Sequence, residues 1–261
     1  MSQSTPTLIP EEQALPADVE LRALQSGLSP LDSGLTVNRL RKSFSSPSGA
    51  PLRVLDGLSF VIAQGEVIAI TGASGAGKST LLHLLGGLEA ADEGSVLLGN
   101  IDITATPASR LAKVRNQEIG FVFQFHHLLP DLTAIENVAM PLLIGRTPRV
   151  ESLKRAARLL ESLGLLERSD HPIKQLSGGE QQRVAIARAL VKEPRLVLAD
   201  EPSGNLDTPT ADEIAAVLLA YARSRKAIII IATHNERLAA LCDRTLVLAG
   251  GKVHPPGHVN G

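Results

Sequence analysis

A glycine-rich segment at residues 72–79 constrains the fold of this chain more than any other part of its sequence. The segment is GASGAGKS; it follows the β-branched run of residues 66–71 and opens a stretch, residues 78–88, of helical length and composition. A strand, a glycine turn and a helix in this order direct backbone N–H groups and the positive end of a helix dipole at one point. We therefore predict a phosphate-binding loop.

The spacing G-x-x-x-x-G-K-S/T assigns roles to the loop's last two residues. Lys78 is placed to bridge the β- and γ-phosphates of a nucleotide, and Ser79 to offer its hydroxyl to Mg²⁺. The alternative is a glycine turn that contains Lys-Ser by chance, and the strand before it and the helix after it argue against that alternative. The predicted nucleotide contacts are Gly72, Ala73, Ser74, Gly75, Ala76, Gly77, Lys78, Ser79 and Thr80.

Two adjacent carboxylates, Asp200 and Glu201, follow the apolar run of residues 196–199. At the carboxyl end of a buried strand, Asp200 is placed to hold Mg²⁺ through its hydration shell, and Glu201 can point toward an attacking water. Taken alone, an Asp-Glu pair is more often a solvated loop. The phosphate loop favours the catalytic interpretation.

Short apolar runs alternate with helical stretches along the chain, which indicates an α/β core with a largely parallel sheet. The mainly helical pattern between residues 125 and 196 is too long for a simple crossover, so we predict an inserted helical subdomain at about 126–194. The folded domain is predicted at 35–253, after a disordered leader at 1–34 and before a flexible tail at 254–261. Predicted strands include residues 35–37, 54–62, 66–71, 119–123, 196–199 and 228–232, and predicted helices include 78–88, 151–163 and 178–191.

Composition excludes several classes of protein. The chain has 26 basic and 27 acidic residues, a net charge of -1, five Phe, one Tyr and no Trp. Nucleic-acid-binding domains combine a basic surface with aromatic stacking platforms, so we predict no nucleic-acid partner. No apolar run is long enough to span a bilayer, and the first residues lack the pattern of a secretory signal. The single cysteine, Cys242, favours a reducing, cytoplasmic setting.

A second anion cradle is predicted at residues 176–183, with the sequence LSGGEQQR. The Ser-Gly-Gly turn opens a helix as the phosphate loop does, but it carries no lysine. With this segment the sequence resembles the ATP-binding-cassette ATPase family, whose signature motif is similar. The resemblance implies a P-loop NTPase core with an inserted helical subdomain and a small antiparallel β subdomain. It also implies ATP and Mg²⁺ as ligands and a homodimer in which Ser177, Gly178 and Gly179 of one subunit cap the γ-phosphate bound by the other.

The resemblance extends to four further positions and assigns each a role. Gln124 is similar to the glutamine that contacts Mg²⁺ or the water and links the core to the helical subdomain. Asp207 is similar to the aspartate that reaches across the dimer, His234 to the histidine that contacts the γ-phosphate, and Phe44 to an aromatic residue that stacks on adenine. Glu201, His234 and Gln124 are therefore the predicted catalytic residues, and Ser79, Gln124 and Asp200 the predicted Mg²⁺ ligands.

Residues 121–145, together with 83–88, resemble the ATPase subunits of bacterial lipoprotein-releasing systems. This implies two transmembrane permease subunits as partners and a peripheral location on the cytoplasmic face of the inner membrane, with membrane contact only through those partners. The segment after Gln124 is where such ATPases receive their permeases, so we expect Phe125, His126, His127 and Leu128 to be exposed contacts.

Alternative interpretations remain open at this point. ATPases of macrolide-exporter-type pumps and of cell-division complexes of the FtsE type are close relatives, and the latter transmit force without moving a substrate. A soluble ATPase acting on DNA or ribosomes is a third class, disfavoured by the near-neutral charge. His126 and His127 suggest a metal site, but no third ligand stands at suitable spacing.

Overall fold

A computed structural model describes residues 33–45, 51–204 and 206–255. The predicted leader, apart from its last two residues, and most of the predicted tail lie outside these residues. His254, which the sequence assigns to the tail, is the last residue of a strand. In chain order the elements are β1 (Ser33–Ser45), β2 (Pro51–Ala63), β3 (Val67–Thr71), α1 (Lys78–Leu85), β4 (Glu93–Leu98), β5 (Ile101–Asp102), α2 (Ala108–Glu118), β6 (Ile119–Val122), α3 (Ala134–Ile144), α4 (Arg149–Ser162), α5 (Gly178–Leu190), β7 (Leu196–Asp200), α6 (Thr208–Arg225), β8 (Ile228–Ala232), α7 (Glu236–Ala240), β9 (Arg244–Ala249) and β10 (Lys252–His254).

The main sheet has the strand order β10-β9-β3-β8-β7-β6, and its neighbours from β9 to β6 pair in parallel. Its central strands are apolar throughout because helices and the second sheet cover both faces. Successive residues alternate between two cores. Ile68, Leu198 and Ile230 pack toward α1 and the second sheet, whereas Val67, Val197 and Ile229 pack toward α5 and α6.

The second sheet is antiparallel, with the order β2-β1-β4-β5. Its inward residues, including Leu35, Val37 and Ile62, share one core with the leucines of α1. The α/β fold with a small antiparallel β subdomain, predicted from the resemblance, is therefore confirmed.

Helices α3, α4 and α5 pack around a third core that includes Val138, Leu160 and Val184. This helical unit is inserted between β6 and β7. Within the described residues, no helix has both the length and the apolar composition that crossing a bilayer requires.

Element boundaries differ from the sequence prediction where local chemistry intervenes. The helix predicted at 78–88 ends at Leu85, because Gly86 caps it and Gly87 adopts a left-handed φ of 62°. The sequence pattern did not single out α2, which has no buried residue, or α6, whose buried residues are few for its 18-residue length.

Asn137 fixes the loop that follows β6 onto the helical unit. Its side chain is fully buried; Oδ1 accepts from the Leu129 N–H at 2.8 Å, and Nδ2 donates to the carbonyls of Leu129 at 3.1 Å and Thr133 at 3.0 Å. Thr133 also begins α3 in a reciprocal capping arrangement with Glu136. The loop is therefore held against the start of α3.

Replacing Asn137 with alanine should lower the free energy of unfolding by about 2–3 kcal/mol, because it removes several hydrogen bonds and leaves backbone groups without partners. Equilibrium urea unfolding measures the loss. Asn116→Ala is the matched control: Asn116 is half-buried and donates one such bond, to the Pro141 carbonyl at 3.0 Å, so it should cost about 1 kcal/mol. Equal losses in the two variants would contradict the role assigned to Asn137.

Candidate nucleotide-binding site

The glycine loop turns tightly between β3 and α1. Gly72 has a φ of 148°, and a Cβ there would lie 2.3 Å from the Leu248 carbonyl oxygen. Gly77 has a φ of 101°, and a Cβ would lie 2.7 Å from Val54 Cγ1. Only glycine fits at either position, so the tight turn that the motif predicts is enforced by packing against β9 and β2.

Lys78 is the first residue of α1, and its side chain turns back over the loop. Its Nζ donates to the carbonyls of Gly72 at 2.9 Å and Ala73 at 3.1 Å. The first turn of α1 contains no acidic residue, so its N–H groups and the ammonium form one uninterrupted positive region. This arrangement suits a polyphosphate.

Glu201 follows β7 in a left-handed conformation, with a φ of 44°, and its N–H donates to the Ala232 carbonyl at 2.9 Å. The carboxylate is 12% exposed and is held by the end of β8. Oε1 accepts from the backbone N–H of His234 at 3.1 Å and from its Nδ1 at 2.7 Å, and Oε2 accepts from Thr233 Oγ at 3.1 Å. The structure therefore brings Glu201 and His234 together, as two of the predicted catalytic residues.

Gln124 reaches the same region from β6. A Cβ on Gly204 would lie 3.6 Å from Gln124 Nε2 and 3.4 Å from Glu201 Cβ, so both side chains border one glycine. Three predicted catalytic residues, Gln124, Glu201 and His234, thus follow three neighbouring parallel strands.

The predicted Mg²⁺ ligands offer only oxygen donors: the Ser79 hydroxyl, the Gln124 amide and the Asp200 carboxylate. Asp200 ends β7, which packs against α1, the helix that carries Ser79. The described residues contain no cluster of three His, Cys, Asp or Glu side chains that could cage a metal. Mg²⁺ bound with a nucleotide needs only one or two protein oxygens and phosphate oxygens, so this donor set fits that ion.

The signature segment lies at the N-terminus of α5, on the helical unit. Ser177 and Glu180 cap each other: the Ser177 N–H donates to Glu180 Oε2 at 2.8 Å, and the Glu180 N–H donates to Ser177 Oγ at 3.3 Å. The first of these bonds is the main reason that the pKa of Glu180 is lowered. Glu180 therefore keeps the start of α5 in place.

Gly179 lies against α6. A Cβ there would be 3.0 Å from Thr210 Cγ2, and Thr210 is held by Asp207, which accepts from its N–H at 2.9 Å and its hydroxyl at 3.1 Å. These bonds lower the pKa of the exposed Asp207 carboxyl. Gly179 and Asp207 are therefore linked through Thr210 within one subunit. The phosphate loop of that subunit lies on the α/β core instead.

Phe44 lies near the end of β1, 41% exposed, with Lys42 Nζ 5.1 Å from the ring centroid. The structure gives this ring an accessible position. Its contact with adenine stays a prediction, as residues 46–50 of the adjoining loop lie outside the described residues.

The expectation that four residues after Gln124 are exposed is wrong for two of them. Phe125 is 74% exposed and His127 is exposed, but His126 and Leu128 are half-buried. His126 turns toward α5, where its side chain lies beside Gln181, and Leu128 packs on the core of the helical unit. Burial is also the main reason that the pKa of His126 is lowered.

Arg188 holds the loop after Gln124 in place, and sequence reasoning missed it. His126 and His127 have left-handed φ values of 58° and 48°, and Arg188 donates to both of their carbonyls, at 2.7 Å and 2.6 Å. Burial lowers the pKa of its guanidinium. An arginine on an otherwise largely buried helix, α5, is the one signal in the sequence that could have found it.

A groove of about 440 Å³ lies between the core and the helical unit, beside Arg188. Its floor comes from β6 and α5, and its walls from α2 and α3. The lining residues are Leu88, Ala112, Arg115, Asn116, Ile119, Gly120, Phe121, Phe123, His127, Pro141, Ile144, Arg188, Ala189 and Lys192. We call it the subdomain groove.

Comparisons with known proteins agree with this geometry. The lipoprotein-releasing system ATP-binding protein LolD of Geobacter metallireducens is 50% identical over 223 residues, which is 85% of this chain and 99% of that protein. LolD of Pseudomonas fluorescens is 52% identical over 198 residues, 76% of this chain and 87% of that protein.

A solved dimer of the ATP-binding cassette MJ0796, in a post-hydrolysis state bound to ADP and Pi, is similar with a TM-score of 0.79. Its identity is 36%, over 84% of this chain and 96% of that one. The family model described as ABC transporter matches residues 55–204. From the phosphate loop, the signature segment and these matches, we conclude that this chain belongs to the ABC transporter family.

Proposed function

We propose that this chain is the ATP-hydrolysing subunit of a complex that releases lipoproteins from the bacterial inner membrane toward the outer membrane. The observation that carries the enzymatic part is the Glu201 carboxylate, held at 2.7 Å from His234 Nδ1 on the strand edge that bears the phosphate loop. Support for the cargo comes from relatives named as lipoprotein-releasing ATPases, at 46% to 52% identity.

Binding of ATP uses the phosphate loop. The backbone N–H groups of residues 75–79 donate to phosphate oxygens. The ammonium of Lys78 leaves the carbonyls of Gly72 and Ala73 and binds the β- and γ-phosphates instead. Mg²⁺, when bound, neutralises part of the phosphate charge, and the hydroxyl of Ser79 and the carboxylate of Asp200 would hold it. Phe44 stacks on the adenine.

Hydrolysis is assigned to Glu201. Its carboxylate takes a proton from water as the water oxygen attacks the γ-phosphorus and the bond to the ADP oxygen breaks. The two hydrogen bonds from His234 and the one from Thr233 fix the carboxylate, and the His234 ring contacts the γ-phosphate. Gln124 orients the water.

The active form in this proposal is a head-to-tail homodimer. Ser177, Gly178 and Gly179 begin α5 on the helical unit, and they complete the ATP site of the second subunit rather than their own. Because Gly179 contacts Thr210 and Thr210 is bound by Asp207, closure of the dimer at Gly179 also positions Asp207. The solved MJ0796 relative is itself a dimer.

The partners in this proposal are two transmembrane permease subunits that dock in the subdomain groove, beside the exposed Phe125 and His127. They hold the ATPase at the cytoplasmic face of the inner membrane. Arg188 connects the groove to the loop after Gln124, so docking and catalysis share one segment.

Glu201→Gln should lower the ATP hydrolysis rate by about 10²-fold or more while ATP binding is kept, because positioned acid-base catalysis contributes on that order. Single-turnover hydrolysis and equilibrium nucleotide binding measure the two effects. Glu151→Gln, at an exposed position in the first turn of α4, is the control and should match the wild type. An unchanged rate in Glu201→Gln would remove Glu201 from the role of base.

Lys78→Ala should raise the Kd for ATP about ten- to a hundredfold, because it removes charged hydrogen bonds to the phosphates. Titration with a fluorescent ATP analogue measures this Kd. Lys154→Ala, on the exposed side of α4, should leave it unchanged. Normal affinity in Lys78→Ala would contradict the proposed phosphate contact.

Affinity purification of Glu201→Gln from its native membrane with ATP tests the cargo assignment, because slow hydrolysis preserves the closed dimer with its partners. Mass spectrometry should identify a lipoprotein-releasing permease pair. Recovery of an exporter permease or a division-type partner would overturn that assignment and keep the ATPase mechanism. Recovery of no membrane protein would overturn both the partner and the location.

A further inference from the structure

Arg168 and Glu180 form an ion pair at the start of α5, beside the signature segment. Arg168 is the last residue of a single 3₁₀ turn, Leu166–Arg168, and its Nε lies 3.4 Å from Glu180 Oε1. The other carboxylate oxygen, Oε2, accepts from the Ser177 N–H at 2.8 Å. The Glu180 side chain therefore caps the helix with one oxygen and faces a guanidinium with the other.

The Glu180 carboxylate brings negative charge to a helix start that is proposed to accept a phosphate. Its pKa is lowered, mainly by the hydrogen bond from the Ser177 N–H and further by the charges of Arg168 and Arg183, so it is ionised at neutral pH. The side chain is half-buried, where charges interact more strongly than in bulk water. An anion that approaches Ser177 and Gly179 is therefore repelled by Glu180 unless a cation offsets the carboxylate.

Of the two arginines near Glu180, Arg168 is the one whose charge is left to offset it. Arg183 Nη1 already pairs with Glu213 of α6 at 3.3 Å. Within residues 33–45, 51–204 and 206–255, Arg168 pairs with no carboxylate other than Glu180, and its Nη1 donates to His171 Nε2 at 3.3 Å.

The backbone that carries Arg168 is anchored to the start of α3. The Ser169 carbonyl accepts from the Ile135 N–H at 2.9 Å, and the His171 carbonyl accepts from the Ala134 N–H at 3.1 Å. The Arg168 side chain itself is 52% exposed, and exposed ion pairs add little to the stability of a fold. Its removal should therefore leave the fold intact while it changes the charge beside the signature segment.

We infer that Arg168 is a positioning residue for the ATP site of the second subunit: it holds the Glu180 carboxylate against Ser177 and offsets its negative charge, so that the signature segment can accept a γ-phosphate. The inference rests on the proposed head-to-tail homodimer. It adds a requirement set by the residue at position 180, because a glutamine there would cap the helix without a charge and would need no arginine.

ATP-dependent dimerisation of the full chain tests this inference. The parent is Glu201→Gln, in which slow hydrolysis preserves the closed dimer. Adding Arg168→Ala should raise the ATP concentration for half-maximal dimerisation about tenfold, because an uncompensated like charge opposes the incoming phosphate. Arg168→Lys keeps the charge and should stay within about threefold of the parent. Sedimentation velocity over a series of ATP concentrations measures this midpoint.

A double-mutant cycle tests whether Arg168 acts through Glu180. In a parent that also carries Glu180→Gln, Arg168→Ala should change the midpoint by less than about twofold, because no carboxylate is left to offset. Added salt should reduce the effect of Arg168→Ala in the original parent, since the pair is partly exposed. Arg149→Ala is the matched control and should leave the midpoint unchanged: Arg149 pairs at 3.3 Å with Glu136, which caps Thr133 at the start of α3 in the same way.

Two further measurements separate this role from a purely structural one. At protein concentrations where no dimer forms, the Kd for a fluorescent ATP analogue should be unchanged in Arg168→Ala, because the signature segment acts on the nucleotide of the other subunit. The urea unfolding midpoint should also match that of the parent. If Arg168→Ala were unfolded, Arg168→Gln would replace it with the same expectations.

The contrary outcomes are distinct from one another. An unchanged dimerisation midpoint in Arg168→Ala, or an equal loss in the chain that carries Glu180→Gln, would overturn the role of Arg168 and leave the proposed function intact. A changed Kd in the isolated subunit would show that Arg168 acts on its own nucleotide and would also overturn the inference. Failure of the parent to dimerise at any ATP concentration would overturn the proposed homodimer and the inference with it.

Discussion

The parallel register of β3, β8, β7 and β6 determines where every predicted catalytic residue lies. Parallel strands end at the same edge of a sheet, so the phosphate loop after β3, Glu201 after β7, His234 after β8 and Gln124 after β6 meet without any of them being neighbours in sequence. Pairing of Asp200 with Ala232 fixes the position of Glu201, whose carboxylate then accepts from the backbone N–H of His234. A one-residue slip would turn these side chains to the opposite face.

One segment, the loop after β6, connects the helical unit to this edge of the sheet. Two consecutive left-handed residues, His126 and His127, turn the chain out of the sheet, and such conformations persist only where the surroundings hold them. Arg188 supplies that hold from α5, the helix that begins with the signature Ser177. Arg188 therefore ties α5 to the loop that follows Gln124, the predicted link between the core and the helical unit.

Sequence reasoning predicted the fold and the motif positions because those features have local causes. Glycine spacing at residues 72–79 and the unbroken apolar runs of the strands each follow from one segment alone. Sequence reasoning failed where a feature depends on contacts between segments that are distant in the chain. The burial of His126 depends on Gln181 and Arg188, 55 and more residues away, and the contact of Gly179 with Thr210 depends on how α5 meets α6. No periodicity records such contacts.

The charge of the subdomain groove is a second property that sequence alone did not reveal. Arg115 lies on α2, whereas Arg188 and Lys192 lie at and just beyond the end of α5, and the near-neutral overall composition hides their convergence. Arg188 lines the groove and also holds the carbonyls of His126 and His127. One side chain therefore borders the groove and fixes the loop after Gln124 at the same time.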